Sequence, residues 1–436
     1  PTDDLRRIRE QLQVTPPPAL TSDAWRPVGE GGAFFETRET VVDARGTSVR
    51  YHELEAAFPA PVYLEGTVPY AQPAEGGGFA RDDAGQPVVP PGSFENLRLV
   101  LTLPDEPPAG GASCYPVVVY AHGTTGSAES FVLGTGARLA ARGLAAVGLD
   151  QPLHGPRWEG SADEEQLALL SFNFLNPAST RTLQRQSVVD TFTLVRLLEA
   201  GLEVPGNRSP TGEPVCLDGE RILFFGHSQG ATTGAMAAAF EDRVDAWVLS
   251  GAGGGFGISL TERNDRFVDA QSLLQLVLGP APGEALDDLH PVIGLLQHAL
   301  EVTDALVYAP GWSRRPPGSP PASVFVGAGA QDQQVPVAMA TALALAGGLP
   351  AVQPLPADAT AFRLAGGLTD LPVQGNAGDG GRATVGFIRW DDADGPADHR
   401  VMFERPEAIE ATLTFLESAA RGTPPRLVRQ PESPAR

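Results

Sequence analysis

The stretch RILFFGHSQGATTGAMAAAF, Arg221 to Phe240, decides how the rest of the chain is read. It opens on an apolar run of strand length and closes on an alanine-rich run with helical character. Between them stands Gly226-His227-Ser228-Gln229-Gly230, the pattern G-x-S-x-G. The pentapeptide alone arises by chance in many proteins. On a strand–turn–helix it has a physical meaning: the serine must occupy a tight, strained turn, so that its Oγ projects above the edge of a sheet. Gly226 and Gly230 then belong where they are, because strand and helix pass too closely there for side chains. Ser228 is the candidate nucleophile.

The same alternation extends in both directions. Leu97–Leu103 alternates like a half-buried strand, and Tyr115–Ala121 is a continuous apolar run, as expected of a strand covered on both faces. Ser130–Arg142 has helical period, Gly143–Asp150 reads as the next buried strand, and Thr182–Ala200 as a helix. Beyond the serine turn, Val244–Ser250 is a strand. From Gly251 to Pro321 the alternation stops, with amphipathic helices expected at Val268–Leu278 and Pro291–Leu306 and a proline-rich end. The pattern resumes with the strand Ser323–Gly327, a helix near Pro336–Leu345, the strand Ala383–Trp390 and the helix Glu407–Ala420. Strands alternating with helices predict an α/β class with a mostly parallel central sheet and helices on both faces. Residues 1–96 read as an N-terminal extension packed on a main domain of residues 97–421. Residues 422–436, rich in Pro and Arg, read as a frayed tail.

Bulk properties exclude several functions. The net charge of -22 and the absence of Lys/Arg stripes argue against nucleic acid as a partner; every basic residue is Arg. No segment has the roughly 18–20 unbroken apolar residues that cross a bilayer. No H-E-x-x-H, cysteine cluster or glycine-rich phosphate loop calls for a metal or nucleotide, so no cofactor is expected. Cys114 and Cys216 are too few for a metal knuckle, leaving two free thiols or one disulfide. The start at Pro1 fits a mature exported bacterial protein, and equally a trimmed chain.

Three further motifs accompany the serine turn, and with it Leu97–Ala420 resembles the α/β-hydrolase superfamily, more narrowly bacterial exported lipases and esterases. His122-Gly123-Thr124-Thr125-Gly126, after the strand Tyr115–Ala121, is similar to the H-G-x-x-G oxyanion loop. The resemblance makes the backbone N–H groups of Thr124 and Gln229 the oxyanion donors. Superfamily order places acid and then histidine after the serine. His399, between the last expected strand and helix, fits the histidine. Asp332, in Gly329-Ala330-Gln331-Asp332-Gln333-Gln334-Val335-Pro336, is similar to the family's G-x-x-D-x-x-V-P loop. Asp398, Asp391 and Asp394 are rivals, but so near a neighbour in sequence usually cannot reach round to Nδ1. In the resembled fold the strands following Cys114 and Cys216 are adjacent and parallel, which implies a disulfide between them.

The resemblance also makes 251–321 a helical cap over the site, with Leu273, Leu274, Leu276, Val277, Leu278, Leu295 and Leu296 as candidates for an apolar acyl pocket. Asp150 and His154 read as turn-stabilising residues, His227 as a spacer beneath the serine turn, and His298 as a packed residue. The implied activity is hydrolysis of a small-molecule, lipid or polyester ester through an acyl-enzyme. Thioester cleavage uses the same triad, and a non-catalytic binding protein on the fold is the rival of another class. Oligomeric state has no signal in the sequence.

Overall fold

The computed structural model describes residues 2–43, 46–265, 272, 275, 279, 286–287, 289–315, 319–353, 360–365, 367–391 and 395–429. The central sheet is built on β1 (Ser48–Pro61), β2 (Phe94–Pro104), β3 (Tyr115–Ala121), β4 (Ala145–Leu149), β5 (Val215–His227), β6 (Val244–Ser250), β7 (Ser323–Gly329) and β8 (Val385–Trp390). Their order in space is β1-β2-β4-β3-β5-β6-β7-β8. β2 runs antiparallel to both its neighbours, β1 and β4, and every pairing from β4 to β8 is parallel. Short strands continue the sheet at both edges.

Residue alternation sorts the strands' side chains into two cores. Val117, Val119, Phe224 and Trp247 face one, against the helices α1 (Asp3–Val14), α2 (Leu183–Glu199) and α3 (Gln229–Ala237). Val118, Tyr120, Phe225 and Val248 face the other, against the helix Pro406–Ala420. A parallel sheet must be covered on both faces, which is why its strands read as unbroken apolar runs.

The N-terminal region does more than pack on this sheet. β1 pairs with β2 from Tyr51–Pro104 to Pro61–Phe94, so residues expected to form an extension supply an edge of the sheet itself. α1 adds a staple in which Asp4 meets Arg81 and Arg185, and Arg9 meets Glu241 and Asp242. The expected helix Ser130–Arg142 is instead a π-helical turn, Val132–Gly136, followed by one turn of α-helix, Ala137–Ala140. The tail is anchored before it ends: Arg426–Leu427 pairs with Val373–Gln374, and Leu427 is buried. Burying that leucine overrides the polar composition around it. The expected helix Val268–Leu278 lies almost wholly outside the described residues. Pro291–Leu306 breaks into α4 (Pro291–Leu300) and two short turns.

Candidate active site

β5 delivers Ser228 to the top of the sheet. Its φ of 54° and ψ of -119° lie where L-residues are strained, at a cost of about 1–3 kcal/mol. Close packing imposes the geometry. A Cβ on Gly226 would lie 2.5 Å from the Gly230 carbonyl oxygen, and one on Gly230 would lie 2.2 Å from that of Ala121. Neither residue tolerates a side chain, so the chain can turn from strand to helix in one residue. The Ser228 N–H donates to the Ser250 carbonyl at 2.8 Å, tying the turn to β6.

This is the α/β-hydrolase fold. Strand order, the two antiparallel pairings of β2 and the serine turn after β5 establish it. No protein-family model matches the sequence, and no curated protein matches it. Solved structures resemble it distantly. An acetyl xylan esterase from Thermoanaerobacterium sp. JW/SL YS485 is 12% identical with a TM-score of 0.43, the match covering 96% of this chain and 94% of that one. An acetyl xylan esterase from Paenibacillus sp. R4 is 15% identical with a TM-score of 0.43, covering 96% and 92%. A 2,6-dihydroxy-pseudo-oxynicotine hydrolase is 14% identical with a TM-score of 0.42, covering 79% and 70%.

The loops after β7 and β8 bring Asp332 and His399 together. His399 Nδ1 and Asp332 Oδ2 are 2.7 Å apart, with the carboxylate fully buried. The other oxygen, Oδ1, accepts from the N–H groups of Gln334 and Val335, each at 2.9 Å. An ionised carboxylate only accepts, so it takes its hydrogen bond from Nδ1–H, and in the neutral imidazole that tautomer leaves the lone pair on Nε2. Nε2 is buried and has no hydrogen-bond partner among the described residues. The ring lies against Gly251, where a Cβ would come within 2.9 Å of Cε1, and its centroid is 4.7 Å from that of His227, the residue before Ser228. Asp398 instead accepts from the Arg400 N–H, and Asp391 pairs with Arg389. Asp394 lies outside the described residues.

Thr124 and Gln229 line the same pocket as Ser228. The Thr124 hydroxyl donates to Gln229 Oε1 at 3.0 Å, a link between the two loops that no sequence pattern announces. Beneath them lies a neutral histidine pair. The His122 and His154 rings are 4.8 Å apart. Burial is the main reason that His122 is pushed down to about 4 and His154 to about 3. Each places Nδ1 on a carbonyl, that of Gly123 or Pro152. Each then accepts at Nε2 from a backbone N–H, that of Gln151 at 3.1 Å or Thr125 at 3.2 Å. Asp150 accepts from Ala128 N–H and from Arg98. Asp150 and His154 therefore hold the loop that follows β3, the turn-stabilising part expected of them. Burial first, and then the nearby Arg400 charge, hold His227 well below the ordinary range, so it stays neutral beside His399. His298 is the exception: it is exposed, beside Glu301.

The pocket in front of Ser228 has an empty volume of about 1000 Å³, part of it open to solvent. One side comes from Gly253–Leu260, Arg263 and Thr303–Ala305, within the expected insertion. Helix α4, which packs against the helix Phe256–Glu262, does not bear the expected leucine wall: Leu295 is exposed, and Leu296 packs with Leu260, Leu286 and Ile293. Leu273, Leu274, Leu276, Val277 and Leu278 lie outside the described residues. The opposite side comes from Phe172, Phe174 and Gln184, which sequence reading missed. The backbone from Phe172 to Asn176 is irregular, held by Asn173 and Asn176 side chains bonded to carbonyls of Tyr70, Ala71, Gln72 and Gly76, while Gln184 stands in the first turn of α2. Such long-range bonds leave no periodic signal. Cys114 and Cys216 form a disulfide, their Cα atoms 4.8 Å apart.

Proposed function

We propose that the chain is a carboxylic ester hydrolase with Ser228 as nucleophile, His399 as general base and Asp332 as the carboxylate that fixes its tautomer. What carries the reading is a strained Ser228 opening on a pocket, beside a buried imidazole whose free nitrogen is the basic one. The Nε2–Oγ hydrogen bond is absent among the described residues, and such contacts commonly tighten only when substrate binds. His399 takes the Ser228 proton as Oγ attacks the ester carbonyl. The N–H groups of Thr124 and Gln229 receive the tetrahedral oxyanion, each worth a few kcal/mol of barrier. The alcohol leaves with the proton from His399, and water hydrolyses the acyl-enzyme by the same route.

In this reading residues 251–321 cap a catalytic unit of residues 97–421, and the segment around Phe172 closes the pocket from the other side. The disulfide fits work in an oxidising compartment, outside the cytosol. Among the described residues no single helix is long and apolar enough to cross a membrane. A fluorophosphonate probe should label the protein once per chain and release of p-nitrophenol from p-nitrophenyl acetate should stop with labelling. Equal labelling of Ser228→Ala would refute the assignment.

A further inference from the structure

The two proposed oxyanion donors stand on different loops, Thr124 after β3 and Gln229 at the start of α3, so their spacing depends on what ties those loops together. A chain of three side-chain hydrogen bonds does so. The Thr124 hydroxyl reaches Gln229 Oε1 at 3.0 Å, Gln229 Nε2 reaches Gln151 Oε1 at 3.3 Å, and Gln151 Nε2 donates to the His122 carbonyl. Gln151 follows β4, and β4, β3 and β5 are neighbours in the sheet, so the chain crosses three adjacent loops. Gln151 and Gln229 are each 5% exposed, and the Gln151 backbone N–H is held on His122 Nε2 at 3.1 Å. Thr124 and Gln229 line the pocket of Ser228, and Gln151 does not.

The direction of the chain is set at its far end. A carbonyl oxygen only accepts, so Gln151 must turn its NH2 group to His122 and its oxygen to Gln229. That oxygen requires the NH2 group of Gln229, which leaves Gln229 Oε1 facing Thr124. Turning either amide, or both, would set oxygen against oxygen. The Thr124 hydroxyl proton is therefore spent on Gln229 and cannot also serve the oxyanion.

We propose that Gln151 is a positioning residue for the oxyanion hole, acting through Gln229 to hold the Thr124 loop in place and to keep the Thr124 hydroxyl out of the hole. The proposal rests on the ester-hydrolase reading. Donors preorganised for a tetrahedral oxyanion act in the transition state more than in the substrate complex, so loosening them lowers kcat and leaves KM nearly unchanged.

Gln151→Met and Thr124→Val cut the chain near its two ends with little change in volume. Each should lower kcat for p-nitrophenyl acetate by about 10- to 100-fold, with KM within about twofold of wild type. The double variant should fall no more than about twofold below the worse single one, because both cuts remove the same coupling. Thr124→Ser, which keeps the hydroxyl, should recover most of the loss in Thr124→Val. A trifluoromethyl ketone reads the hole directly: Ser228 Oγ adds to its carbonyl carbon, the serine proton passes to His399, and the oxyanion stays in the hole. Its inhibition constant should rise in each variant by the factor by which kcat/KM falls. Should Gln151→Met not fold by circular dichroism, Gln229→Met severs Gln151 from Thr124 and its loss measures what Gln151 transmits. Wild-type kcat in a folded Gln151→Met protein, or in Gln229→Met in its place, overturns the proposal by making the chain a packing contact. Losses that multiply in the double variant overturn it by making the Thr124 hydroxyl an independent donor. Both results leave the hydrolase reading standing. A wild-type protein that neither hydrolyses the ester nor binds the ketone overturns that reading and the proposal with it.

Discussion

Replacing Asp332 by asparagine tests the proposed triad through one proton. Oδ1 of Asp332 accepts from two backbone N–H groups and Oδ2 faces His399 Nδ1. An asparagine must leave its oxygen on the two N–H donors, because turning the amide would set N–H against N–H. Its NH2 group therefore faces His399 Nδ1 and can only donate. Nδ1 then becomes the acceptor, the proton moves to Nε2, and the atom that should receive the serine proton already carries one. Rate losses from this tautomer error run to about 10⁴-fold in kcat, roughly 5.5 kcal/mol of barrier. The fold should lose far less, about 1–3 kcal/mol for one charge-assisted hydrogen bond. The assay is kcat for p-nitrophenyl acetate beside thermal melting, with Asp398→Asn as control, since the Asp398 carboxylate accepts from the Arg400 N–H and not from His399 among the described residues. Turnover near wild type in a folded Asp332→Asn protein, with Asp398→Asn inactive, would refute the tautomer argument.

Ser228→Ala and Ser228→Gly should both lack esterase activity, but the glycine variant should be the more stable by about 1 kcal/mol, because φ of 54° strains only residues with a Cβ; equal melting temperatures would count against strain at the turn. Gly230→Ala should cost at least about 3 kcal/mol, since its Cβ would meet the Ala121 carbonyl oxygen at 2.2 Å; a denaturant midpoint near wild type would contradict the packing. Removing the disulfide with Cys114→Ser opens a loop of 102 residues and should lower stability by at most about 4–5 kcal/mol; alkylation of both wild-type thiols before any reductant is added would mean that no bond forms. His52, His122, His154 and His227 are all held below the ordinary histidine value. Their neutral forms belong to the fold, so that stability is full above about pH 6.5 and falls as pH drops towards 4, the value of His122, by about 1.4 kcal/mol per pH unit for each fully buried ring. Asp245, raised to about 6, acts in the opposite sense, and a melting temperature that holds or rises from pH 6.5 to 5 would refute the account.

What the sequence determined was set by local stereochemistry and by strand adjacency. The one-residue turn at Ser228 needs glycine on both sides, and that need is written in five consecutive letters. The disulfide could be inferred because Cys114 and Cys216 each precede a strand, and in the resembled fold those strands are neighbours; Tyr115 is indeed paired with Leu217. Asp332 was preferred to Asp398 because adjacent side chains cannot fold back onto one imidazole, and the observed bond joins residues 67 apart. The tertiary structure alone decided the rest. The short β-like runs legible from Arg50 onward join the main sheet because β2 offers unpaired backbone groups along eleven positions, a pairing that no local propensity records. The Phe172–Gln184 wall and the Thr124–Gln229 link depend on side-chain bonds between segments roughly a hundred residues apart. Bonds of that range are fixed by where the sheet brings the loops, and a sequence pattern carries only what neighbouring residues impose on one another.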